Sequence, residues 1–227
     1  MRVLAIDTSS KVLGVAVLDE DGREVEFNHS FELRHASHLI PTIKKLLDFA
    51  NLKLKDLDAY CISIGPGSFT GLRIGVSTVK ALNIVYNKKI IAVPSLDVLA
   101  YNIPYTKATI CVAIDAKKEK FYSCFYKYKG TALKRFSTCK LMGLDELSER
   151  IQAARPIVLL GDGIDKLKTK DQNPKSGIKI TKQELWLPRA MNTARIGLEM
   201  LKKGKVVKDA DKLTPLYLHP RDVQCRK

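Results

Sequence analysis

A short glycine-rich segment, residues 64–75, most constrains how this chain can fold. It joins an apolar run at Tyr60–Ile64, typical of a buried strand, to an apolar segment at Leu72–Val85, typical of a helix. Glycine and proline crowded between them predict a tight turn and a close approach of the backbone to another group. Ser68 or Thr70 is expected to cap the helix. The residues of this turn motif are Gly65, Pro66, Gly67, Ser68, Phe69, Thr70, Gly71 and Arg73.

Three known motifs of this kind fail by spacing. A P-loop needs lysine followed by serine or threonine after its last glycine, and Leu72 and Arg73 stand there. A dinucleotide-binding fingerprint needs its third glycine where Thr70 stands. A nucleophile elbow at Ser68 needs glycine two residues to either side, where Pro66 and Thr70 stand. The turn is therefore either an anion cradle at a helix N-terminus or a plain strand-to-helix connection.

The predicted elements repeat in two halves, each with the order β-β-β-α-β. The first half has strands at 2–7, 12–18 and 23–31, a helix at 36–50, a strand at 58–64, a helix at 71–86, a strand at 89–93 and a short helix at 95–102. The second has strands at 109–115, 120–127 and 132–140, a helix at 144–153, a strand at 156–160, a polar loop-like segment at 166–182 and a last helix at 192–203. Ala5-Ile6-Asp7 and Ala113-Ile114-Asp115 open the two halves at matching places.

Tandem β-β-β-α-β-α units are the pattern of the actin-like (ASKHA) superfamily, which includes Hsp70 and the sugar kinases. We therefore predict an α/β fold of two actin-like lobes. The N-terminal lobe is expected at 1–104 and the C-terminal lobe at 105–227, and packing of the last helix back on the first lobe is left open.

Composition favours a cytoplasmic globular chain. The hydrophobic content of 45% is ordinary, and no apolar run approaches the roughly 18 residues of a membrane span. The start of the chain lacks the apolar core of a signal peptide, so no membrane association is expected. The five cysteines are odd in number and contain no CxxC pair, which argues against a disulfide framework and against a zinc site. Cys61 and Cys111 are expected in the core.

The formal net charge of +15 is compatible with work near a polyanion. The lysines are scattered, however, with modest density at 117–120, 166–182 and 202–212. A lysine-rich composition of the kind found in proteins from hot environments explains the excess equally well. Direct contact with tRNA therefore remains an open expectation.

The string GPGSFTGLRIG at 65–75, together with MRVLAIDTS at the N-terminus, resembles the TsaB (YeaZ) family. The resemblance runs nearly end to end, through further segments at His35–Pro41, Ala113–Ala116, Gly161–Gly163 and Pro215–Leu218. It implies a non-catalytic subunit of the bacterial machinery that makes N6-threonylcarbamoyladenosine (t6A) in tRNA. The implied partners are TsaD, which it would bind and activate as a heterodimer, and the ATPase TsaE, with homodimers when alone. TsaD would transfer threonylcarbamoyl to the adenosine next to the anticodon.

The resemblance also implies which catalytic groups are absent. TsaD, the catalytic paralogue, carries an HxxxH metal pair, and Ser95 and Leu99 stand at the corresponding positions here. None of the four histidines lies between 39 and 218, so no metal site and no enzyme activity are expected. His35 and His38 could share a helix face, but capping or a partner contact is the better explanation.

A nucleotide site of this chain's own is only weakly indicated. Asp7-Thr8-Ser9 could form the first phosphate loop of the superfamily, although an aspartate there commonly accepts hydrogen bonds from its own turn. The second loop should contain glycine, but residues 116–119 after Asp115 contain none. Gly161-Asp162-Gly163 could approach a nucleotide or simply turn the chain. No cofactor of its own is expected, and ATP or ADP is expected, if anywhere, at the interface of the complex.

The helices predicted at 36–50 and 71–86 carry more apolar surface than is needed to cover one face of a sheet. A second stripe on the later helix holds Ile74, Ala81 and Val85. Such surplus could be buried against a second protein, as the resemblance also implies, or under a thick core of this chain. The predicted partner-interface residues are Leu39, Ile43, Leu46, Leu47, Leu72, Val76, Val79 and Leu82. Two other functions stay open: a small-molecule kinase or ATPase of the same fold, and a free-standing tRNA-binding module.

Overall fold

A computed structural model describes residues 1–30, 35–167 and 176–218. The predicted end of the third strand at 31, part of the polar segment at 166–182, His219 and Cys225 lie outside the described residues. The strands are β1 Arg2–Asp7, β2 Val12–Asp19, β3 Glu24–Ser30, β4 Ala59–Ser63, β5 Lys89–Val93, β6 Thr109–Asp115, β7 Lys120–Lys129, β8 Ala132–Arg135, β9 Lys140–Gly143, β10 Ile157–Leu160 and β11 Ile178–Ile180. The helices are α1 His35–Phe49, α2 Phe69–Tyr86, α3 Ser95–Ala100, α4 Leu144–Ala153 and α5 Ala190–Lys202.

The chain divides into two compact units, and the division differs from the predicted one. The first unit contains residues 1–98 and 187–216, and the second contains 99–186 with Tyr217 and Leu218. The boundary falls at 98/99 rather than 104/105, and α5 belongs to the first unit instead of the C-terminal half. The reason is packing, since α5 lies against β1, β2, β4 and β5 of the first sheet.

The first unit is built on a five-stranded sheet of order β3-β2-β1-β4-β5. β1, β2 and β3 are antiparallel, whereas β1, β4 and β5 run parallel. Alternate residues such as Ile6 and Ile62 face a core shared with α1 and α2. On the opposite face, Cys61 lies against Gly197 of α5. Both sheet faces are covered, so β1, β2 and β4 are apolar almost throughout.

The second unit repeats this topology. Its sheet has the order β11-β10-β6-β7-β8, with β9 also paired to β7. β6 and β7 are antiparallel, and β6, β10 and β11 are parallel. In each sheet the first strand also pairs in parallel with the strand that follows the first long helix, β1 with β4 and β6 with β10. Asp7 and Asp115 end the two first strands, so the predicted internal repeat and the actin-like fold are confirmed.

Three local predictions need correction. The strand predicted at 132–140 is two strands, β8 and β9, which pair with opposite ends of β7. The segment predicted as a loop at 166–182 contains β11, whose three residues are too few to show a strand periodicity. The odd number of cysteines was interpreted as an argument against a disulfide framework, yet Cys124 of β7 is bonded to Cys139. An odd total does not exclude a single local pair. Cys61 and Cys111 are free and buried, as predicted. None of the helices in the described ranges is long and apolar enough to cross a membrane.

Candidate functional site

The glycine-rich turn is packed directly on the loop that follows β1. The backbone N–H of Ser68 donates to the carbonyl oxygen of Ser9 at 2.7 Å. Ser68 also caps α2, since its Oγ accepts from the N–H of Gly71 at 3.2 Å, which confirms one of the two predicted caps. Two sequence segments that were assigned separate roles, 7–9 and 65–73, are therefore parts of one structure.

The glycines of the turn are explained by this contact. A methyl group on Gly67 would overlap the carbonyl oxygen of Ser9, and one on Gly71 would overlap the carbonyl oxygen of Thr8. The Ser9 carbonyl accepts from the N–H of Ser68 and the Ser68 hydroxyl from that of Gly71, so two N–H groups at the start of α2 are bonded within the chain. The plain strand-to-helix connection is thus favoured over the anion cradle.

The remaining residues of the turn motif tie it to its neighbours. Gly65 has a φ of +110° and is joined to Pro66 by a cis peptide bond. The carbonyl oxygen of Gly65 accepts from the N–H of Ser95 at 2.9 Å. Phe69 and Thr70 are exposed. The guanidinium of Arg73 lies 3.9 Å from the centroid of the Phe69 ring, a cation–π contact on the surface of α2.

Asp7 lies in a buried cluster of hydroxyl groups. Its Oδ1 accepts from the N–H of Ser9 at 2.9 Å and from the Oγ of Ser9 at 2.7 Å. Its Oδ2 lies 3.5 Å from the hydroxyl of Thr193 on α5, and Ser63 also donates to the carboxyl. Burial raises the pKa of Asp7, and these hydrogen bonds only partly oppose the shift. The carboxyl thus accepts hydrogen bonds from its own turn, as an aspartate at a strand end commonly does.

The neighbouring side chains of this cluster show no catalytic partner for Asp7. Ser63 and Ser95 share a hydrogen bond at 2.8 Å between their hydroxyl oxygens. The hydroxyl of Thr8 is buried and has no partner among the described residues. Ser95 and Leu99, where the resemblance implies that a catalytic relative would carry its metal pair, are both buried. Across the described residues, no group of three His, Cys, Asp or Glu side chains is arranged to hold a metal ion.

His35 ties α1 to the loop after β1. Its ring is buried, and its Nε2 lies 2.9 Å from the carbonyl oxygen of Ser10, so this nitrogen must carry the proton and donate. The carbonyl of His38 accepts from the hydroxyl of Thr42 at 2.7 Å within the same helix. Both residues therefore have structural contacts within the first unit.

In the second unit, Asp115 stands at the position equivalent to Asp7, and lysines pair with its carboxylate. Asp115 pairs with Lys166 at 2.7 Å and with Lys117 at 3.1 Å. Burial disfavours the Asp115 carboxylate, but the hydrogen bonds from Lys166 and Lys117 outweigh it and keep its pKa below the usual value. The N–H of Asp115 donates to Asp162 at 2.9 Å, and the N–H of Gly163 donates to the carbonyl of Ala113 at 3.1 Å. Gly161-Asp162-Gly163 is thus a turn packed on β6.

These two loops do not fit the phosphates of a nucleotide bound by this chain alone. The first loop presents its Thr8 and Ser9 carbonyls to the glycine-rich turn. In the second, Lys117, Lys118 and Glu119 all have positive φ without a glycine, and the Asp115 carboxylate is already paired. An independent kinase or ATPase is not favoured by this arrangement.

The predicted interface residues lie in the core of the first unit and not on its surface. Leu39, Ile43, Leu46, Leu47, Leu72, Val76 and Val79 are buried, and Leu82 is partly buried against the same core. They face the first sheet, because α1 and α2 both cover the same sheet face and the residues of one stripe are needed there. The interface prediction for these side chains is therefore wrong, and they form the core of the first unit.

The apolar surplus lies on the opposite side of α2. We call it the α2 stripe: Phe69, Arg73, Ser77, Ala81, Ile84 and Val85, which are all exposed. Ile84 is 86% and Val85 72% exposed, whereas Ser77 and Ala81 are small enough to let another helix approach closely. On α1, Ile40 and Phe49 are also exposed. Spacing of three or four residues along α2 could have identified this stripe from the sequence. The prediction had noted Ala81 and Val85 there without assigning them to the interface.

Comparison with known proteins gives a consistent result. Residues 30–179 match the family model of TsaD, described as tRNA N6-adenosine threonylcarbamoyltransferase. A TsaB protein of Bacillus subtilis, described as a tRNA threonylcarbamoyladenosine biosynthesis protein, is 30% identical over 227 residues, which cover all of this chain and 97% of that protein. The TsaB protein of Escherichia coli is 28% identical and covers 96% of this chain and 94% of its own length. The structure of YeaZ from Pseudomonas aeruginosa has a TM-score of 0.81 and 27% identity, with 96% of this chain and 99% of that chain covered.

The fold and the packed turn define an actin-like α/β protein of the superfamily that includes TsaD. The identity of 30% to the Bacillus subtilis TsaB protein across the full length identifies the family within this superfamily. The chain belongs to the TsaB family.

Proposed function

We propose that this protein is the accessory subunit of t6A synthesis, which binds TsaD and holds it in an active form. The observation that carries the proposal is similarity to TsaB proteins over the whole chain. In this proposal TsaD transfers threonylcarbamoyl to the adenosine next to the tRNA anticodon, and TsaE is a further partner. A homodimer is the state of the protein without TsaD.

Catalysis is assigned to the partner and not to this chain. Ser95 and Leu99 stand where TsaD carries its metal-binding histidines, and the Asp7 carboxyl is enclosed by neutral hydroxyls. Nucleotide binding is assigned to the complex, because the Ser9 carbonyl after β1 bonds to the glycine-rich turn and the Asp115 carboxylate after β6 is paired with Lys166.

The α2 stripe is the surface proposed to bind TsaD. It supplies exposed apolar side chains near the end of the helix, at Ile84 and Val85. Ala81 lies one turn and Ser77 two turns before these residues. Their side chains are small, so a partner helix can pack closely there. Exposed apolar side chains grouped on one surface are a mark of protein–protein contact sites.

The experiment measures t6A formed on an unmodified tRNA transcript by TsaD, TsaE and the adenylate-forming enzyme, with and without this protein. Activity is expected only on its addition, and the protein alone should turn over nothing. Ile84→Glu should lose both TsaD binding and stimulation, because a charge would be buried in the interface. Ile180→Glu, at an exposed isoleucine of β11, is the matched control and should behave as wild type. Full stimulation by a folded Ile84→Glu variant would refute the assigned surface, and no stimulation by wild type would refute the function.

A further inference from the structure

The antiparallel part of the second sheet carries positive charge without any negative charge. Residues 120–143, which contain β7, β8 and β9, have no aspartate or glutamate. Their basic residues are Lys120, Lys127, Lys129, Lys134, Arg135 and Lys140. No ion pair is formed by any of these five lysines with another described residue. The charge of these five lysines is therefore not balanced by an ion pair within the part of the chain that the structure describes.

The equivalent strands of the first unit have the opposite character. β2, β3 and their turn contain five acidic residues and one arginine between 12 and 30. Three of these acids are paired with basic residues of α5 or its N-cap in the same unit: Glu26 with Arg189, Glu24 with Arg195 at 2.8 Å, and Glu20 with Lys202 at 2.7 Å. The fold alone thus does not require a basic hairpin at this place in the repeat.

The lysines are gathered on one face of the β7–β8 hairpin. Lys127 and Lys134 are directly opposite each other in the ladder, and Lys129 lies two residues further along the same face. Like charges opposite one another destabilise a sheet, so this pairing has a cost that a bound anion would remove. All three side chains are exposed.

An aromatic ring lies among these lysines. Phe136 is 50% exposed, and the Nζ of Lys127 lies 5.1 Å from the centroid of its ring. The Phe136 ring also makes an edge contact with Phe125 of the core, which holds the ring in place. We call Lys127, Lys129, Lys134 and Phe136 the basic hairpin face. An anchored ring beside lysines is the combination that binds an unpaired base and its flanking phosphates.

We propose that the basic hairpin face binds RNA directly, with the three lysines on the phosphate backbone and Phe136 against an unpaired base. The choice of RNA over another polyanion rests on the proposed function and on the exposed ring, which an acidic protein surface would not need. The surface belongs to the second unit, whereas the α2 stripe belongs to the first, so one chain can hold TsaD and RNA through different residues.

The test measures binding of a fluorescently labelled, unmodified tRNA transcript to the purified protein over a range of salt concentrations. Replacing Lys127, Lys129 and Lys134 together by Gln should weaken binding about tenfold and reduce the slope of log K against log salt by about two, since each phosphate contact contributes about 0.7 on single-stranded nucleic acid. Phe136→Ala should weaken binding with little change of slope, because a stacking contact releases no counterions. The control replaces Lys11, Lys89 and Lys205 by Gln, three exposed lysines of the first unit, and should leave the affinity within twofold of wild type.

Equal losses in the hairpin variant and the control would overturn the proposal, because binding would then follow net charge and not this face. Polyglutamate is added as a competitor at the same charge concentration as the RNA. If it displaces the RNA from wild type, and does so equally well from the Phe136→Ala variant, the proposal would also be overturned in favour of an acidic protein partner. TsaD binding is measured in parallel. A hairpin variant that binds TsaD and RNA as wild type does would reject the RNA surface and leave the accessory function intact, whereas a wild-type protein that binds RNA but not TsaD would reject the accessory function.

Discussion

The backbone N–H of Ser68 donates a 2.7 Å hydrogen bond to the carbonyl oxygen of Ser9, and this bond joins the start of α2 to the loop after β1. The glycines at 67 and 71 keep the two segments close enough for it to form. The same loop provides the two Ser9 groups that bond to Asp7. The most distinctive motif of the sequence is thus a packing element that positions α2, and through α2 the surface proposed to bind TsaD.

Gly71→Ala is expected to destabilise the protein by about 3 kcal/mol, the upper part of the range for overpacking, because the added methyl group meets the backbone oxygen of Thr8, which cannot move aside. Unfolding in urea, followed by circular dichroism, measures the change. Gly143→Ala is the control, since a methyl group there has no heavy atom within 4 Å. If Gly71→Ala were as stable as Gly143→Ala, the close packing of the turn on Thr8 would be contradicted.

Much of this fold could be predicted because its strands and helices are long and periodic. β1, β2, α1 and α2 lie within two residues of their predicted ends. The short strands β8, β9 and β11 have three or four residues each, which is too little for a period to show. The assignment of α5 to the first unit depends on contacts between distant segments, which no local pattern encodes.

The candidate site was predicted less well, for a physical reason. A helix that is apolar on two sides has one side in the core and one at the surface, and composition alone does not say which. Val76 was assigned to the surface but lies in the core, whereas Val85 is 72% exposed. The ion pair of Lys166 with Asp115 joins residues 51 apart in the sequence. Like the assignment of α5 to the first unit, it depends on a contact between distant segments and was not predicted.

The two sides of α2 should respond differently to a charge. Val76→Asp is expected to destabilise the protein by on the order of 4 kcal/mol, because an unpaired carboxylate would replace a core isopropyl group. Val85→Asp should leave the melting temperature within a few degrees of wild type, as surface substitutions generally do. Thermal unfolding of both variants measures this. Comparable destabilisation by Val85→Asp would mean that the α2 stripe is covered by the chain itself.

The stability of the protein should carry a pH dependence from Asp7. Burial raises its pKa in the folded state, so the folded protein retains a proton that the unfolded chain loses near pH 4. The contribution of this group to the free energy of unfolding is therefore greatest below that pH and is lost as the pH rises through the raised pKa. Asp7→Asn keeps an oxygen for the two Ser9 donors and removes the titration.

Asp7→Asn should consequently gain stability relative to wild type as the pH is raised from 4.5 to 8, buffer values chosen to span the window from the ordinary carboxyl pKa of about 4 upward. Urea unfolding at several pH values gives the difference directly. Asp58→Asn, at an exposed carboxyl of the same unit, serves as a control for general charge effects. A relative loss of stability by Asp7→Asn with rising pH would show that the folded state favours the ionised carboxyl, contrary to its buried surroundings.

The bond between Cys124 and Cys139 should make stability depend on reductant. The two residues are 15 apart, and closure of a loop of that length contributes about 3 kcal/mol by restricting the unfolded chain. Addition of dithiothreitol to the oxidised protein should therefore lower its melting temperature by several degrees, and Cys139→Ser should have the lower value with or without reductant. Cys225→Ser leaves the pair in place and should retain the response. Five reactive thiols in oxidised, denatured wild type, where three are expected, would contradict the bond.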